Sequence, residues 1–330
     1  MYPAGEQGWC AVSREFEPEE LPEPAQAGEP VPDAYSRAVG AVADTVLPAV
    51  AGVATRRSAG SAVVFTDDGH LLTSAHLLGP AESADVRFAD GTVTVADVTG
   101  GDPLSDLAVL RARGGGPAPA RLGDADALTL GRLVVALADP AGPGGAVSAG
   151  VVGAVDRAVP VLSRRAGRLV EQVLHTDVRC EPHAAGGPLA DSAGRVVGVL
   201  TGVAGIGGLG VPIGAVAHRV LDALLAEGRV RRAYLGIVVA AAPVPPELRA
   251  AAGQAAAARV TAVVRGGPGD RAGIQRGDLL LRAGDAVLTG ARELQRLLFA
   301  EAIEVALAVT VLRASTVVTV EVTPPEWLPS

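Results

Sequence analysis

Lysine and asparagine are absent from the 330-residue sequence, so every one of its 28 basic residues is arginine. We attribute this to a coding bias. The absence of an asparagine from a motif is therefore weak evidence by itself that the motif has lost its function. Aromatic residues make up only 3% of the chain, so its cores must consist mainly of valine, leucine, isoleucine and alanine. Together with 42 glycines and 24 prolines, this composition favours β-structure with many turns.

A basic surface is also missing. The net charge is -8, and residues 1–33 hold eight acidic side chains against Arg14 alone, so the remainder is close to neutral. This charge distribution excludes nucleic acid as a partner. Cys10 and Cys180 form a poor disulfide pair, which agrees with a reducing compartment.

Targeting and membrane-spanning segments are not apparent either. The N-terminal sequence has no basic segment followed by an apolar one, so we expect no signal peptide and a cytoplasmic location. The stretch from Val196 to Ala217 is uncharged, but it contains many glycines and Pro212. We therefore expect strands there and no membrane span.

The first 228 residues divide into three kinds of pattern. Residues 1–33 are rich in Pro, Glu, Gly and Ala, which predicts an acidic disordered tail. Asp33 is a predicted N-cap for a short helix that has Tyr35, Val39, Val42 and Val46 on one face. Short apolar runs separated by Gly, Pro and Asp then predict a β-barrel or sandwich, with strands including 62–65, 107–110, 133–137, 151–155 and 196–200.

A second, smaller unit follows a predicted helix that spans Val216–Glu227 and ends at Gly228. The charged run 229–232 is typical of a linker. Beyond it we predict two strands, a helix and two final strands within 233–323. The helix is placed at Ala291–Leu298 with entry through Thr289, and the final strands at Val305–Leu312 and Thr316–Val322.

Three blocks have the order of a serine protease triad. His76 follows the apolar strand that ends at Ser74, Asp106 opens the run 107–110, and Gly186-Gly187-Pro188-Leu189 comes later. Each block alone is compatible with an ordinary structural role, but their order is that of chymotrypsin-like proteases, whose triad assembles across two β-barrels. Segments 122–128, 136–142 and 208–213 extend the match, and together they resemble the HtrA/DegP family. The resemblance implies a mostly β fold, with a trypsin-like double β-barrel over 34–228 and a PDZ domain over 229–326.

The resemblance also implies roles for individual residues. His76 takes the place of the general base and Asp106 that of the residue orienting it, but Ala185 occupies the position of the serine nucleophile. The oxyanion-hole positions are His183 and Ala185, the first of which is glycine in the family's motif. The substrate-pocket residues implied are Leu209, Gly210 and Val211. We therefore predict a protease homologue without proteolytic activity.

Engineering or a substitute nucleophile would account less well for Ala185. An engineered Ser-to-Ala change would leave the rest of the motif standard, whereas Glu181, His183 and Ala184 also depart from it. Rescue by Ser192 or Cys180 would require a nucleophile outside the motif position. A metal site formed by His76, His175 and His183 has no supporting spacing, so we expect no metal or other cofactor.

The C-terminal segment resembles a PDZ domain in two blocks. Tyr234-Leu235-Gly236-Ile237 resembles the family's carboxylate-binding loop, and residues 267–280 resemble a second family block. The resemblance implies a groove between the strand after Ile237 and the predicted helix, with Leu294 and Leu298 on its wall. The implied ligands are apolar C-terminal peptides or unfolded polypeptides.

Two functions remain open from the sequence. The favoured one is a polypeptide-binding or regulatory protein that forms homotrimers or hetero-oligomers with active paralogues. The alternative is a serine endopeptidase of protein quality control, either inactivated by engineering or using an unforeseen nucleophile. Family members usually work outside the cytoplasm, in contrast to the location expected from the N-terminus.

Overall fold

The computed structural model describes residues 33–138, 145–162, 167–204 and 207–328. The predicted tail over residues 1–33 lies outside these ranges except for Asp33, as does the latter half of the family-like segment 136–142. Asp33 caps the first helix as predicted, because its side chain accepts a hydrogen bond from the backbone N–H of Ser36 at 2.6 Å. This helix, α1, spans Ala34–Val46 and buries Val42 and Val46, whereas Tyr35 is 57% exposed and not packed as the pattern suggested.

The first half of the chain folds into a closed, antiparallel six-stranded barrel with the strand order β1-β2-β3-β6-β5-β4. One helical turn, α2 (Ala75–Leu78), follows β3. The strands are β1 (Val50–Ala54), β2 (Ala59–Val64), β3 (His70–Ser74), β4 (Ser83–Phe88), β5 (Val93–Asp102) and β6 (Leu107–Ala112).

A second closed barrel has the strand order β10-β11-β12-β9-β8-β7, which is the same connectivity as in the first barrel. Helix α3 (Ala215–Glu227) follows it and ends at Gly228, which has φ +70°, as predicted for a glycine cap. The strands are β7 (Leu133–Ala138), β8 (Ala146–Leu162), β9 (Gly167–Thr176), β10 (Pro188–Asp191), β11 (Val196–Ala204) and β12 (Gly207–Pro212). The predicted double barrel is confirmed.

The C-terminal domain is a sheet in the order β13-β14-β15-β17-β18, with β16 paired to β15. Four strands precede the long helix where two were predicted, and that helix is capped at Gly290 instead of being entered through Thr289. The strands are β13 (Ile237–Pro243), β14 (Ala256–Val263), β15 (Leu279–Ala283), β16 (Ala286–Val287), β17 (Leu307–Arg313) and β18 (Thr316–Val322), and the helices are α4 (Arg249–Ala252), α5 (Pro268–Arg271) and α6 (Ala291–Leu297).

Aliphatic side chains fill the cores, as the low aromatic content requires. The largest fully buried side chains are all leucine or isoleucine, and Phe88 and Phe299 are the buried aromatic residues of the described ranges. No described helix is long and apolar enough to span a membrane. The uncharged stretch 196–217 forms β11, β12 and the start of α3.

Charged contacts join the C-terminal domain to the double barrel. The buried pair Arg232–Asp102 has an N···O distance of 2.6 Å. The guanidinium carbons of Arg219 and Arg232 lie 4.0 and 4.8 Å from the ring centroid of Phe299, within the range of cation–π attraction. Asp126 forms ion pairs with two arginines of α6. The two parts therefore pack against each other through buried as well as exposed charges.

Candidate active site and peptide-binding groove

His76 and Asp106 meet because the strands that carry them are paired. Ser74 at the end of β3 lies opposite Leu107 at the start of β6. His76, two residues after Ser74, therefore comes close to Asp106, which directly precedes Leu107. The Nδ1 atom of His76 lies 2.8 Å from one carboxylate oxygen of Asp106, and the His76 backbone N–H donates to the other oxygen at 3.0 Å. The carboxylate thus holds His76 by one contact to its ring and one to its backbone, while the His76 side chain remains 40% exposed.

The second barrel supplies a further partner that sequence reasoning missed. The hydroxyl group of Thr201 on β11 donates a hydrogen bond to the same Asp106 oxygen that faces the imidazole. Thr201 is only 4% exposed. It is the single hydrogen-bonding side chain in the otherwise apolar segment 196–204, and this was the signal that could have identified it. The Asp106 carboxylate therefore receives donors from both barrels.

Two opposing effects act on the charge of Asp106. Burial by itself raises the pKa of this carboxyl, because it disfavours the charged form. The hydrogen bond and charge of His76, followed by the hydroxyl of Thr201, outweigh burial and leave the pKa below its ordinary value. The Asp106 backbone adopts φ +59° and its carbonyl accepts from the Ala75 N–H at 3.0 Å. The residue is held ionised in a backbone conformation that few residues other than glycine adopt.

The segment before β10 passes between β2 and β11. The Ala185 carbonyl accepts from the Ser61 N–H at 2.8 Å, and the Gly186 N–H donates to the Leu200 carbonyl at 2.6 Å. Gly186 has φ +82°, and a Cβ atom there would lie 2.2 Å from the Ser61 carbonyl oxygen. Glycine is thus required at this point, and Ala185 is fixed next to the strand that carries Thr201.

His183 lies in a short turn with 3₁₀ geometry, Pro182–Ala184. Its carbonyl accepts from the Ser61 hydroxyl at 2.7 Å, and the Ala184 N–H donates to the Glu181 carbonyl at 2.9 Å. His183 is not among the described residues with positive φ, so this turn makes no demand that only glycine could meet. Its role, and that of Ala185, as an oxyanion-hole position stays a prediction.

The three implied substrate-pocket residues lie on β12. Leu209 and Val211 are 3% and 7% exposed, and Val211 lines a cavity that faces α3 and the C-terminal domain. Cys180 occupies the space above the neighbouring Gly208, where a Cβ atom would lie 2.6 Å from its sulfur. Burial raises the pKa of the Cys180 thiol, which disfavours the nucleophilic thiolate. The roles of Leu209, Gly210 and Val211 as a pocket stay predictions.

The histidines considered for a metal do not assemble a ligand set. His175 pairs in β9 with Leu209 and Ala154 through the backbone. Within the ranges that the structure describes, no group of three or more His, Cys, Asp or Glu side chains could hold a metal ion.

A groove-like arrangement exists in the C-terminal domain. Strand β13 lies at one edge of the sheet, where it pairs with β14, and α6 packs against it with Leu294 buried. In the loop before β13, the Leu235 carbonyl accepts from the N–H of Gly269 in α5. The Gly236 carbonyl accepts from the N–H of Val264, which follows β14, and both distances are 2.8 Å. Gly236 has φ +68°, which allows the loop to turn into the strand. The structure therefore joins an open strand edge, a turned loop and an apolar helix face.

The comparisons with known proteins agree with this architecture. The family model described as a trypsin-like peptidase domain matches residues 60–199, and the PDZ domain model matches residues 259–309. A probable periplasmic serine endoprotease of the DegP-like type from Ectopseudomonas mendocina is 36% identical over 232 residues, which are 68% of this chain and 47% of that protein. A protein of the same description from Halomonas elongata is 29% identical over 300 residues, or 87% of this chain and 61% of that protein.

Solved structures give the same result in three dimensions. The HtrA-type protease AlgW with a tripeptide has a TM-score of 0.72 at 28% identity, covering 88% of this chain and 98% of that one. The serine endoprotease from Yersinia pestis has a TM-score of 0.63 at 26% identity, covering 90% of this chain and all of that one. The chain spans about half the length of the first curated relatives it matches.

These similarities are to HtrA-type and DegP-like serine proteases, in sequence and in structure. The chain is a homologue of HtrA-type serine endoproteases with a trypsin-like peptidase domain and a PDZ domain. The curated relatives are described as periplasmic, so the cytoplasmic location expected from the N-terminus receives no support.

Proposed function

We propose that this chain is a proteolytically inactive HtrA-type homologue that acts by binding polypeptides through its PDZ domain. The observation that carries the proposal is the methyl group of Ala185 at the motif position of the nucleophile, in a segment fixed between β2 and β11. The His76–Asp106–Thr201 arrangement is intact beside it.

Acyl transfer by this family's chemistry needs an oxygen nucleophile whose proton the imidazole accepts. Asp106 orients His76 and stabilises its protonated form, so the general base is available. Ala185 has neither a proton to give nor a lone pair to attack a carbonyl. Loss of the serine nucleophile costs about 10⁶ in rate in a well-studied serine protease, so turnover falls to a negligible level.

The oxyanion-hole positions support the same conclusion. The resemblance implies a glycine where this chain has His183, which lies in the Pro182–Ala184 turn. Losing one donor to the developing oxyanion costs roughly 10²–10³ in rate. The proposed inactivity therefore rests first on Ala185, and His183 is a second departure from the motif in the same segment.

Peptide binding is the property that we assign to the PDZ domain. An extended peptide can pair with the open edge of β13, and the loop Tyr234–Ile237 can hold its terminal carboxylate through the N–H groups that follow Tyr234, whose own N–H donates to the Pro325 carbonyl at 2.9 Å. The apolar residues Leu235, Leu294 and Leu298 favour an apolar C-terminal side chain. Among the solved structures that resemble this chain, AlgW is described with a tripeptide and with a decapeptide.

We assign unfolded or apolar-ended polypeptides as the class of partner, and oligomerisation with itself or with active paralogues. We also place the protein outside the cytoplasm with its curated relatives. Fractionation of cells tests the location, and recovery in the cytoplasm alone would contradict it. Co-purification with an active homologue tests the mixed oligomer.

Proteolytic activity is tested with casein and a fluorophosphonate probe. The unaltered protein is expected to leave casein intact and to remain unlabelled. The triple variant His183→Gly, Ala184→Asn, Ala185→Ser is expected to gain cleavage and labelling, because His76 and Asp106 are already in place. Labelling of the unaltered protein on any residue would instead support the second candidate, an active endopeptidase with another nucleophile.

Peptide binding is tested with a fluorescent peptide that ends in an apolar residue, either with a free carboxylate or as the amide. We expect the carboxylate form to bind at least about tenfold more tightly, since the amide loses the charge-assisted hydrogen bonds. Leu298→Glu should abolish binding, whereas Val317→Glu, on β18 at the opposite edge of the sheet, should leave it unchanged. Equal affinity of the two peptides would contradict the assignment.

A further inference from the structure

A cavity of about 270 Å³ lies between the double barrel and the PDZ domain. Its walls on the barrel side include Leu107, Val211 and Ala217, and on the PDZ side Leu298 and Trp327. This volume lies just below the range of about 300–1,000 Å³ that is usual for small-molecule sites, which are mostly apolar with a few polar groups. The cavity thus has the character of a site for a small ligand.

One charged side chain, Arg232, lines this cavity. The Arg232 side chain is only 10% exposed, and it forms an ion pair with Asp102, which is 4% exposed. The Nε–H group of Arg232 is buried and has no hydrogen-bond partner among the described residues. A buried donor without an acceptor is unusual in proteins, and a water molecule or a ligand oxygen would satisfy it.

The charge balance limits what that partner can be. Asp102 already neutralises the Arg232 guanidinium at 2.6 Å. A ligand carboxylate would place a second negative charge in the same buried region, which is unfavourable. A neutral oxygen acceptor, such as a carbonyl group, satisfies Nε–H without that cost.

We propose that this interdomain cavity binds a small, neutral, apolar molecule whose carbonyl oxygen accepts a hydrogen bond from Nε of Arg232. The site holds no triad residue, and it borders the predicted PDZ groove through Leu298, but its ligand and its Arg232 donor are separate from the peptide binding proposed above. It includes Leu104 and Ser105, which directly precede Asp106, and Tyr234 at the start of the predicted carboxylate loop. A molecule bound there contacts both domains and stabilises their docked arrangement.

Fluorine NMR with para-fluoroacetophenone on the full chain tests the proposal. A ligand of this size is expected to bind with a Kd of about 1 mM. The hydrocarbon analogue, para-fluoroethylbenzene, should bind at least about tenfold more weakly because it cannot accept the hydrogen bond from a charged donor. The anion para-fluorobenzoate should also bind at least about tenfold more weakly.

Two variants locate the site. Arg232→Lys keeps a positive charge for Asp102 but removes Nε–H, and it should weaken ketone binding about tenfold or more. Ala217→Leu fills the cavity from α3 and should abolish binding, whereas Ala226→Leu, at an exposed position of the same helix, should not. Circular dichroism checks that each variant is folded, and Ala217→Leu tests the site even if Arg232→Lys fails to fold.

Several results would overturn the proposal. One is equal affinity for the ketone and the hydrocarbon, which would deny a role to the Arg232 donor. Another is unchanged ketone binding in Ala217→Leu, which would place the ligand elsewhere. A third is the absence of ketone binding at about 10 mM, which would leave the cavity to water alone.

Discussion

The hydrogen bond from Thr201 to Asp106 makes a sharp prediction, because it joins the two barrels through a charged acceptor. Thr201→Val keeps the shape of the side chain but removes the hydroxyl donor. The carboxylate then keeps its contacts with His76 but loses one buried donor. Hydrogen bonds to charged groups contribute about 1.5–3 kcal/mol, so the free energy of unfolding at neutral pH should fall by that amount.

The pH dependence has a definite sign. The pKa of Asp106 is lowered in the folded protein, so its contribution to stability is present above the unfolded pKa and is lost as pH falls through the folded pKa. Removing the Thr201 hydroxyl raises the folded pKa and reduces this contribution. The stability difference between the variant and the unaltered protein should therefore shrink from about pH 5 downward, as the carboxyl becomes protonated.

Urea unfolding followed by circular dichroism, at neutral and acidic pH, measures this difference. Thr73→Val is the matched control, because the buried Thr73 hydroxyl donates to a neutral acceptor, the Ser61 carbonyl, at 2.7 Å. The control should lose about 0.5–1.5 kcal/mol at every pH. A Thr201→Val loss that is equally independent of pH, or no larger than that of Thr73→Val, would refute the reasoning.

Three further predictions concern other buried positions. Arg232→Ala leaves the Asp102 charge buried without its partner, and thermal unfolding should report a loss of about 3–5 kcal/mol; a loss below about 1 kcal/mol would indicate that the pair is solvated. Gly186→Ala places a Cβ atom 2.2 Å from a β2 carbonyl and should cost about 3 kcal/mol or more in urea unfolding, against about 1–2 kcal/mol for Gly253→Ala, which has φ +68° but open space. Cys180, whose thiol pKa is raised by burial, should react with iodoacetamide much more slowly in the folded protein than in urea, and equal rates would contradict its burial.

Much of the fold followed from local patterns. The helix cap at Asp33, the end of α3 at Gly228 and the short strands of both barrels were predicted because each depends on neighbouring residues or on a period of two. The order of His76, Asp106 and the glycine pair predicted the double barrel. Only two of the four strands before α6 were predicted, and β16, which has two residues, is too short to show an alternating pattern.

The sequence by itself determined that His76, Asp106 and Ala185 are present, and the resemblance predicts that Ala185 holds the position of the nucleophile. Only the tertiary structure decided that Thr201 completes the hydrogen bonding of Asp106, that Val211 faces a cavity, and that Arg232 reaches Asp102 across 130 residues. The physical reason is distance along the chain. A residue's chemical type is fixed by its codon, whereas hydrogen bonds and burial between remote segments exist only after both barrels and the C-terminal domain have packed together.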